Sequence, residues 1–323
     1  MKQIQTVCGM IDPQSVRGAL VHEHILASAP GIPENYPLLY GEGFMDRAAQ
    51  ALHALMENGI NTIVDAGTYD LGRDPKRLKR LSEQTGIQII CTTGIFFDWT
   101  DGFGTFSEDT VSQMLIDDIR VGMAGTDIRA GVIKAVMDRE CATSGRVLQH
   151  RAAANASMET GCPIFLHTAS ECETGRFQLQ ILIESGAQPE KIRVDHILDT
   201  TDMKYIGWLY DQGVWLGVDR LPRVRRKDEC FVSTQMRLNT VQAMIEAGMA
   251  DRMLFSHDAS AVSTLWDTVD PDTLKFVHES VIPDGWLFIL KHAFPELTRM
   301  GVDPDILHGI LFENPREYLG FDV

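Results

Sequence analysis

The sequence predicts one (β/α)8 barrel domain over residues 1–323, an α/β fold whose functional site lies at the carboxyl ends of its strands. Three observations predict this fold class. Eight short apolar runs alternate along the chain with helix-like segments. Most runs are nearly continuous in Val, Ile, Leu and Phe, as expected of strands that are covered on both faces. The length of 323 residues, of which 44% are apolar, suits a single barrel.

Apolar periodicity and helix-start residues assign the elements in order. The predicted strands are Ala19–Ile25, Asn61–Gly67, Ile87–Phe96, Gly131–Met137, Pro163–Ala169, Ile192–Ile197, Val214–Arg220 and Met253–His257. The predicted helices begin at Asp74-Pro75 and at Ser107, or cover Ala48–Glu57, Arg146–Glu159, Gly175–Glu184, Asp202–Gln212, Thr234–Ala247 and Trp286–Met300. A doubly wound open sheet is the alternative, and it is disfavoured because no Gly-x-Gly-x-x-Gly follows the first strand.

Charge and cysteine content limit the partners and the compartment. The chain has 29 basic and 45 acidic residues, a formal net charge of −16, which argues against nucleic-acid and anionic-membrane partners. No apolar run is long enough to span a bilayer, and the first residues lack the pattern of a signal peptide. The six cysteines form no Cys-x-x-Cys pair, so free thiols in the cytoplasm are expected. We expect a small-molecule substrate and a homodimer.

A pair of histidines lies near the end of the first predicted strand. His22 and His24 are two residues apart, which puts both imidazoles on one face of a strand. Two neutral imidazole nitrogens on one face can chelate a divalent ion. The alternative is a pair of hydrogen-bonded histidines with no ligand, and the spacing alone does not decide between the two.

Four further strands each carry, near the carboxyl end, a residue that can serve as a metal ligand. These residues are Lys134, His167, His196 and Asp258. In a barrel these ends converge on one face, so the five strands together favour a metal site. Four histidines, one aspartate and one lysine exceed the needs of one tetrahedral ion and suit two ions that share a bridge. A lysine becomes a bridging ligand when its neutral amine takes up carbon dioxide to form a carbamate.

These residues resemble the phosphotriesterase family of the amidohydrolase superfamily, including the phosphotriesterase-like lactonase group. The resemblance runs in order along nearly the whole chain. The matching stretches are Leu20-Val21-His22-Glu23-His24-Ile25, Thr62-Ile63-Val64-Asp65, Gly72-Arg73-Asp74, Thr93-Gly94-Ile95, Gly131-Val132-Ile133-Lys134, Phe165-Leu166-His167-Thr168, Gly217-Val218-Asp219-Arg220, Ser256-His257-Asp258 and Glu313-Asn314-Pro315.

The resemblance implies a binuclear metal centre and a role for each matching residue. His22, His24 and Asp258 would hold the more buried ion, whereas His167 and His196 would hold the more exposed one. Lys134, modified to a carbamate, would bridge the ions. A hydroxide between the ions would attack the substrate, with Asp258 as catalytic proton shuttle. Zinc is the expected metal, and the ligand types also admit cobalt, manganese or iron.

Three residues are predicted to contact the substrate. Arg220 ends the seventh predicted strand, where a guanidinium can hold a substrate oxygen or carboxylate. Asp98 stands where lactonase members of the family carry a tyrosine, which argues against long apolar lactones. Trp266 lies in a long segment after the eighth strand that is predicted to form a lid. The basic loop 220–227 either binds substrate or contacts a second subunit.

Together these features predict a metal-dependent hydrolase acting on ester bonds, with lactones or other carboxylic esters, including anionic ones, as substrates. An organophosphate triester hydrolase is the first alternative, because the same metal centre serves both reactions. A barrel without catalytic activity that acts as a binding protein is the second, and the complete ligand set opposes it.

Overall fold

A ring of parallel strands dominates the computed structural model of the chain, which describes residues 2–97, 106–139, 142–222, 232–265 and 282–322. The strands are β1 (Ile4–Thr6), β2 (Gly9–Ile11), β3 (Ala19–Ala27), β4 (Thr62–Asp65), β5 (Gln88–Gly94), β6 (Val132–Met137), β7 (Ile164–Thr168), β8 (Ile192–Val194), β9 (Trp215–Val218), β10 (Met253–Phe255) and β11 (Ser260–Ser263). Strands β1 and β2 form a separate antiparallel hairpin. The predicted (β/α)8 fold class is confirmed.

The ring closes because the eighth strand position is shared by two short strands. Strands β3 to β9 pair in sequence order, β10 pairs with β9, and β11 pairs with β3. The sequence predicts one strand over Met253–His257, whereas the structure ends β10 at Phe255 and resumes at Ser260. Between the two strands, Asp258 has a positive φ of 53°. The eighth strand is therefore interrupted where it carries the aspartate.

One carboxylate holds this interruption in place. Glu23, on β3, accepts hydrogen bonds at Oε1 from Ser256 Oγ (2.8 Å), His257 N (2.7 Å) and His257 Nδ1 (2.8 Å). Its Oε2 accepts one from Ala259 N at 3.1 Å. Glu23 is fully buried, so these bonds also supply the partners that a buried carboxylate requires. The segment Ser256–Ala259, defined here as the strand-eight turn, is thus fixed to the first barrel strand.

Side chains from alternate positions fill the inside of the barrel, as the two-residue period of a strand requires. The interior cluster includes Val21, Val64, Ile90, Val132, Phe165 and Leu254, all at most 1% exposed. A second, larger apolar cluster lies between the outside of the barrel and the surrounding helices. The strands are therefore covered on both faces, as their continuous apolar runs predict.

The helices surround the barrel and mostly begin at the predicted positions. Asp74, Ser107 and Asp202 each accept a backbone N–H of the first helical turn and so cap their helices. The helices of the described residues are Ile32–Asn35, Phe44–Glu57, Pro75–Thr85, Glu108–Arg120, Ser144–Thr160, Thr174–Glu184, Met203–Asp211, Thr234–Glu246, Phe294–Arg299, Pro304–His308 and Asn314–Leu319. In none of them is an apolar stretch of membrane-crossing length found.

The predicted helix Trp286–Met300 differs in detail. It consists of a 3-10 turn (Gly285–Leu287), a π-helical turn (Ile289–Ala293) and the α-helix Phe294–Arg299. Pro295 is near the start of that α-helix and has no N–H to donate to the preceding turn, which accounts for the change in hydrogen-bond pattern.

Four of the six cysteines lie in described segments, and all four are free thiols. Cys91 and Cys162 are buried in the apolar core, whereas Cys8 and Cys172 are exposed. This agrees with the predicted absence of a disulfide framework for the part of the chain that the structure describes.

Candidate metal centre

The first cluster joins strand β3 to the strand-eight turn. His22 and His24 point from the same face of β3, and the Nε2 atoms of both rings lie 3.5 Å from Asp258 Oδ1. The two histidines are almost fully buried, and the Asp258 side chain is 12% exposed. The sequence predicts the two histidines near the end of the first strand. The structure places them inside it, because β3 runs on to Ala27. The three predicted ligands of one ion are therefore brought together.

The second cluster lies at the ends of β7 and β8. His196 Nε2 and His167 Nδ1 are 2.8 Å apart, and their ring centroids are 4.3 Å apart. His196, two residues after the end of β8, has a positive φ of 65°. The His22 and His196 rings are 5.0 Å apart, so the two clusters adjoin.

Lys134 lies in the middle of β6 and is 2% exposed. Its Nζ donates to the Ala66 carbonyl at 3.1 Å and lies 5.2 Å and 5.3 Å from the ring centroids of Phe96 and Phe165. Burial lowers the pKa of Lys134 to about 8, although Asp258 and other carboxylates oppose the shift. The amine is therefore unusually available in its neutral, nucleophilic form.

Burial keeps the histidines of both clusters neutral. It lowers the pKa of His22 to about 4, with a further contribution from the Lys134 charge. The pKa values of His167 and His196 lie well below 6.5 because of burial and the nearby Arg220 charge. Neutral imidazole is the form that binds metal ions. The electrostatics thus favour ligation over protonation.

Arg220, predicted to bind substrate, is paired with carboxylates. Its Nε donates to Asp258 Oδ2 at 2.9 Å, and its Nη1 donates to Asp199. Arg237 Nη2 donates to the other oxygen of Asp199 at 2.7 Å. Burial alone would raise the pKa of Asp258, but the Arg220 charge and a hydrogen bond with His24 bring it well below its usual range. Asp258 is therefore ionised.

Two buried aspartates that the sequence reasoning missed contact the metal-ligand candidates. Asp195 Oδ2 lies 2.6 Å from His22 Nδ1 and also pairs with Arg193. Asp219 Oδ2 lies 2.9 Å from His196 Nδ1 and 3.4 Å from His22 Nδ1. A charged residue within an apolar run distinguishes Lys134 in the sequence, and the same feature distinguishes these two aspartates.

The remaining predicted substrate contacts fall outside the described residues, and the nearby Trp286 and His257 side chains belong to the core and to the strand-eight turn. Asp98, Trp266 and the basic residues from 223 to 227 lie outside the described residues. Trp286 is buried in the apolar core, where its Nε1 donates to the Ala259 carbonyl at 3.3 Å. His257 points away from the clusters toward Glu23.

The residues present fit a divalent ion. His22, His24 and Asp258 each offer one ligand atom, and these atoms lie within 4.8 Å of one another. His22 Nε2 is buried and has no hydrogen-bond partner among the described residues. An unpartnered, neutral nitrogen beside a carboxylate oxygen is the environment that a bound cation would complete. The donor set of imidazoles and a carboxylate is one that zinc and other first-row metals accept.

A closed (β/α)8 barrel with buried histidines and an aspartate, gathered within or just after its parallel strands, defines the class of barrel enzymes with a candidate metal centre. The chain belongs to the phosphotriesterase family, whose sequence model matches residues 2–319. Enzymes of this family depend on binuclear metal centres. Two overlapping groups of described residues bring possible ligand atoms together, one of His22, His24 and Asp258 and one of His22, His196 and Asp219.

Several known proteins are similar to this chain over nearly their whole length. An aryldialkylphosphatase of Saccharolobus solfataricus is 31% identical over 95% of this chain and 96% of its own length. A phosphotriesterase homology protein of Mycobacterium tuberculosis is 31% identical over 98% of this chain and 97% of its own length. The human N-acetyltaurine hydrolase is 26% identical over 99% of this chain and 98% of its own length. Since the relatives named for an activity are hydrolases, the chain is a hydrolase of this family.

Proposed function

We propose that this hydrolase holds two divalent ions, zinc in the first instance, and cleaves the ester bond of a lactone or another carboxylic ester. His22, His24 and Asp258 would hold one ion, and His167 and His196 the other. The observation that carries the proposal is the approach of two buried, neutral imidazoles to within 3.5 Å of the same Asp258 oxygen.

Lys134 supplies the bridge in this proposal. The four imidazoles are neutral, so among these five proposed ligands only Asp258 carries a charge to set against the four positive charges of two ions. The neutral Lys134 amine would add to carbon dioxide and release one proton, and the resulting carbamate would add one negative charge and two oxygens. The lowered pKa of about 8 supports this, because a larger fraction of the amine is neutral and able to react with carbon dioxide.

The residues around the centre have separate tasks. Two bound ions would make an attacking water more acidic and polarise the scissile carbonyl. Asp258 is ionised and can accept a proton from the attacking water, while Arg220 holds its Oδ2 and so keeps Oδ1 toward the histidines. The rings of Phe96 and Phe165 shield Lys134 from water.

The position of Arg220 supports the proposal that the substrate carries an acidic or strongly polar group. Its side chain is 7% exposed, and its guanidinium lies directly beside Asp258. An anionic substrate could attract this cation when it enters. Asp98 and Trp266 remain proposed substrate contacts, and both belong to segments outside the described residues.

An organophosphate triester is the second candidate substrate, and the 31% identical aryldialkylphosphatase favours it. The N-acetyltaurine hydrolases add a third bond type to be tested, the amide of an amino sulfonate. The bond cleaved therefore has to be found by experiment, with all three classes in one panel.

The test combines metal analysis with this panel. We expect two divalent ions per chain in metal-replete protein, loss of activity with a chelator and recovery when the metal is returned. Lactones and anionic carboxylic esters should be cleaved with the highest kcat/KM. A stoichiometry of zero or one ion contradicts the binuclear proposal, and faster cleavage of triesters or N-acyl sulfonates contradicts the ester preference.

A further inference from the structure

A buried ion pair occupies the interior of the barrel directly beneath the candidate metal centre. Arg193, on β8, and Asp195, just after it, are two residues apart and so face the same way, into the barrel. Both side chains are 0% exposed. Val21, Phe165 and Tyr318 of the apolar interior cluster lie against Arg193.

The guanidinium is held on several sides. Arg193 Nε donates to Asp195 Oδ1 at 2.6 Å and Nη2 donates to Oδ2 at 2.7 Å, so the pair is bidentate. Nη2 also donates to the Val21 carbonyl at 3.0 Å. The guanidinium carbon lies 4.8 Å from the ring centroid of Phe165 and 5.0 Å from that of Tyr318. Arg193 therefore fixes both oxygens of Asp195.

Asp195 in turn contacts a candidate ligand. Its Oδ2 lies 2.6 Å from Nδ1 of His22, on the opposite side of the ring from the Nε2 atom that faces Asp258. An ionised carboxylate accepts hydrogen bonds only, so Nδ1 of His22 has to carry the proton. Nε2 then presents its lone pair toward Asp258.

The neighbouring strand is shaped to admit this pair. Gly217, on β9, has no side chain, and a Cβ added there would lie 1.9 Å from Asp195 Oδ1 and 2.8 Å from its Cα. A buried ion pair seldom adds to the stability of a fold, because the desolvation of two charges offsets their attraction. An apolar pair would fill the same interior at no such cost. A role beyond packing is therefore expected.

We infer that Asp195 and Arg193 are a positioning pair for the metal ligand His22, in which Asp195 fixes the ring and its Nδ1 proton and Arg193 fixes Asp195. The inference rests on the proposed metal centre and assigns to it two residues outside the ligand set. A carboxylate behind a ligating histidine is worth about 10-fold to 100-fold in metal affinity.

The test measures metal binding rather than turnover. Metal-free protein is titrated with Zn²⁺ in competition with a chromophoric chelator. We expect Asp195→Asn to weaken the binding of one of the two ions about 10-fold to 100-fold. The double variant Arg193→Met with Asp195→Asn removes both charges, so it should fold even if the single variant does not, and it should show the same loss.

Asp118→Asn is the matched control, because it breaks the ion pair of Asp118 with Arg73 (2.8 Å) without touching a proposed ligand. It should bind both ions with wild-type affinity. If the Asp195 variants also bind both ions as the wild type does, the pair has only a packing role and the inference is wrong. Failure of the wild type itself to bind two ions overturns the proposed function instead, and the inference with it.

Nitrogen-15 NMR of the histidines in metal-free wild-type protein tests the inference without a variant in the pair. The His22 resonances are assigned from a His22→Asn sample. We expect the Nδ1-protonated tautomer, and the Nε2-protonated tautomer would overturn the inference.

Discussion

Lys134 shows at the scale of one residue how burial can prepare a side chain for chemistry. We predict that Lys134→Ala loses bound metal and activity together, because the bridging charge is gone while the barrel still folds. Short carboxylic acids added to this variant should restore part of both. Metal content and kcat/KM measure the outcome, with the exposed Lys204→Ala as control. A Lys134→Ala protein that keeps both ions and full turnover would remove the lysine from the centre.

Arg220 gives a second prediction at this scale. Arg220→Ala should lower kcat/KM even in protein reconstituted with both ions, because the cation proposed to hold the substrate is gone. A lost charge-assisted hydrogen bond is worth about 1.5–3 kcal/mol, or roughly tenfold to 150-fold in rate. Steady-state kinetics on the best substrate of the panel check this, and Arg176→Ala, which is on an outer helix and stacks on Trp208, is a suitable control. Unchanged kinetics would leave Arg220 as a purely structural partner of Asp199.

Single residues also show what sequence alone could predict of the site. The histidines, Lys134 and Asp258 stand out because their types and strand positions are visible in one dimension. The partners of these residues do not stand out in the same way. Asp195 reaches His22 across 173 positions, and Asp199 reaches Arg237 across 38. Such contacts depend on strand order and barrel closure, which local patterns do not encode.

At the scale of an element, the strand-eight turn depends on one carboxylate. We predict that Glu23→Gln weakens the turn, because an amide cannot accept from four donors as a carboxylate does. Chemical denaturation should show a loss of about 1–3 kcal/mol, and Asp258 should hold its ion less firmly. Glu108→Gln, at the start of an outer helix, is the control for a removed carboxylate. Wild-type stability and metal content in Glu23→Gln would show that the turn is fixed by its backbone alone.

The elements themselves were largely predictable, and their exceptions have physical causes. The apolar runs locate the strands because parallel strands of a barrel are buried on both faces. The break between β10 and β11 was not predictable, since Glu23, 233 positions away from Ser256, creates it. The mixed helix after Gly285 could have been anticipated from Pro295.

At the scale of the whole molecule, buried histidines couple stability to pH. His150 is fully buried outside the candidate centre, with Nδ1 2.7 Å from the Arg146 carbonyl and Nε2 2.8 Å from Gln178 Oε1. Burial lowers its pKa below 6.5, so the folded state keeps it neutral at a pH where the unfolded chain binds a proton. Stability from this group is present above about pH 6.5 and is lost as the pH falls below it.

We therefore predict that His150→Gln loses stability relative to the wild type at pH 7.5 and that the difference shrinks at lower pH. The limit is about 1.4 kcal/mol per pH unit for one proton. Free energies of unfolding at pH 5.5, 6.5 and 7.5 measure it. His308→Gln is the control, because His308 is exposed and stacks on Phe312. A difference that stays constant over this range would assign the pH dependence to other groups.

The interruption of the eighth strand also bears on how the molecule is assembled. His22 and Asp258 belong to the first and last strand positions of the barrel, and their backbones are joined by Asp258 N to the His22 carbonyl (3.0 Å) and by His24 N to the Ala259 carbonyl (2.8 Å). Contacts between such distant parts of a chain are slow to form. The candidate centre is therefore incomplete until the barrel closes, and folding intermediates that lack this closure cannot hold the ion proposed to bind His22, His24 and Asp258.

A bound ion would in turn favour the state in which β3 is joined to the strand-eight turn over states in which this junction is locally open. Hydrogen exchange at the amides of His24 and Asp258 should slow on metal addition more than at Ile133, whose amide bonds the Pro163 carbonyl at 2.9 Å between β6 and β7. Equal slowing at all three amides would show that the ion stabilises the barrel as a whole. In that case closure of the barrel and binding of the metal ion would be separate events and not coupled to each other.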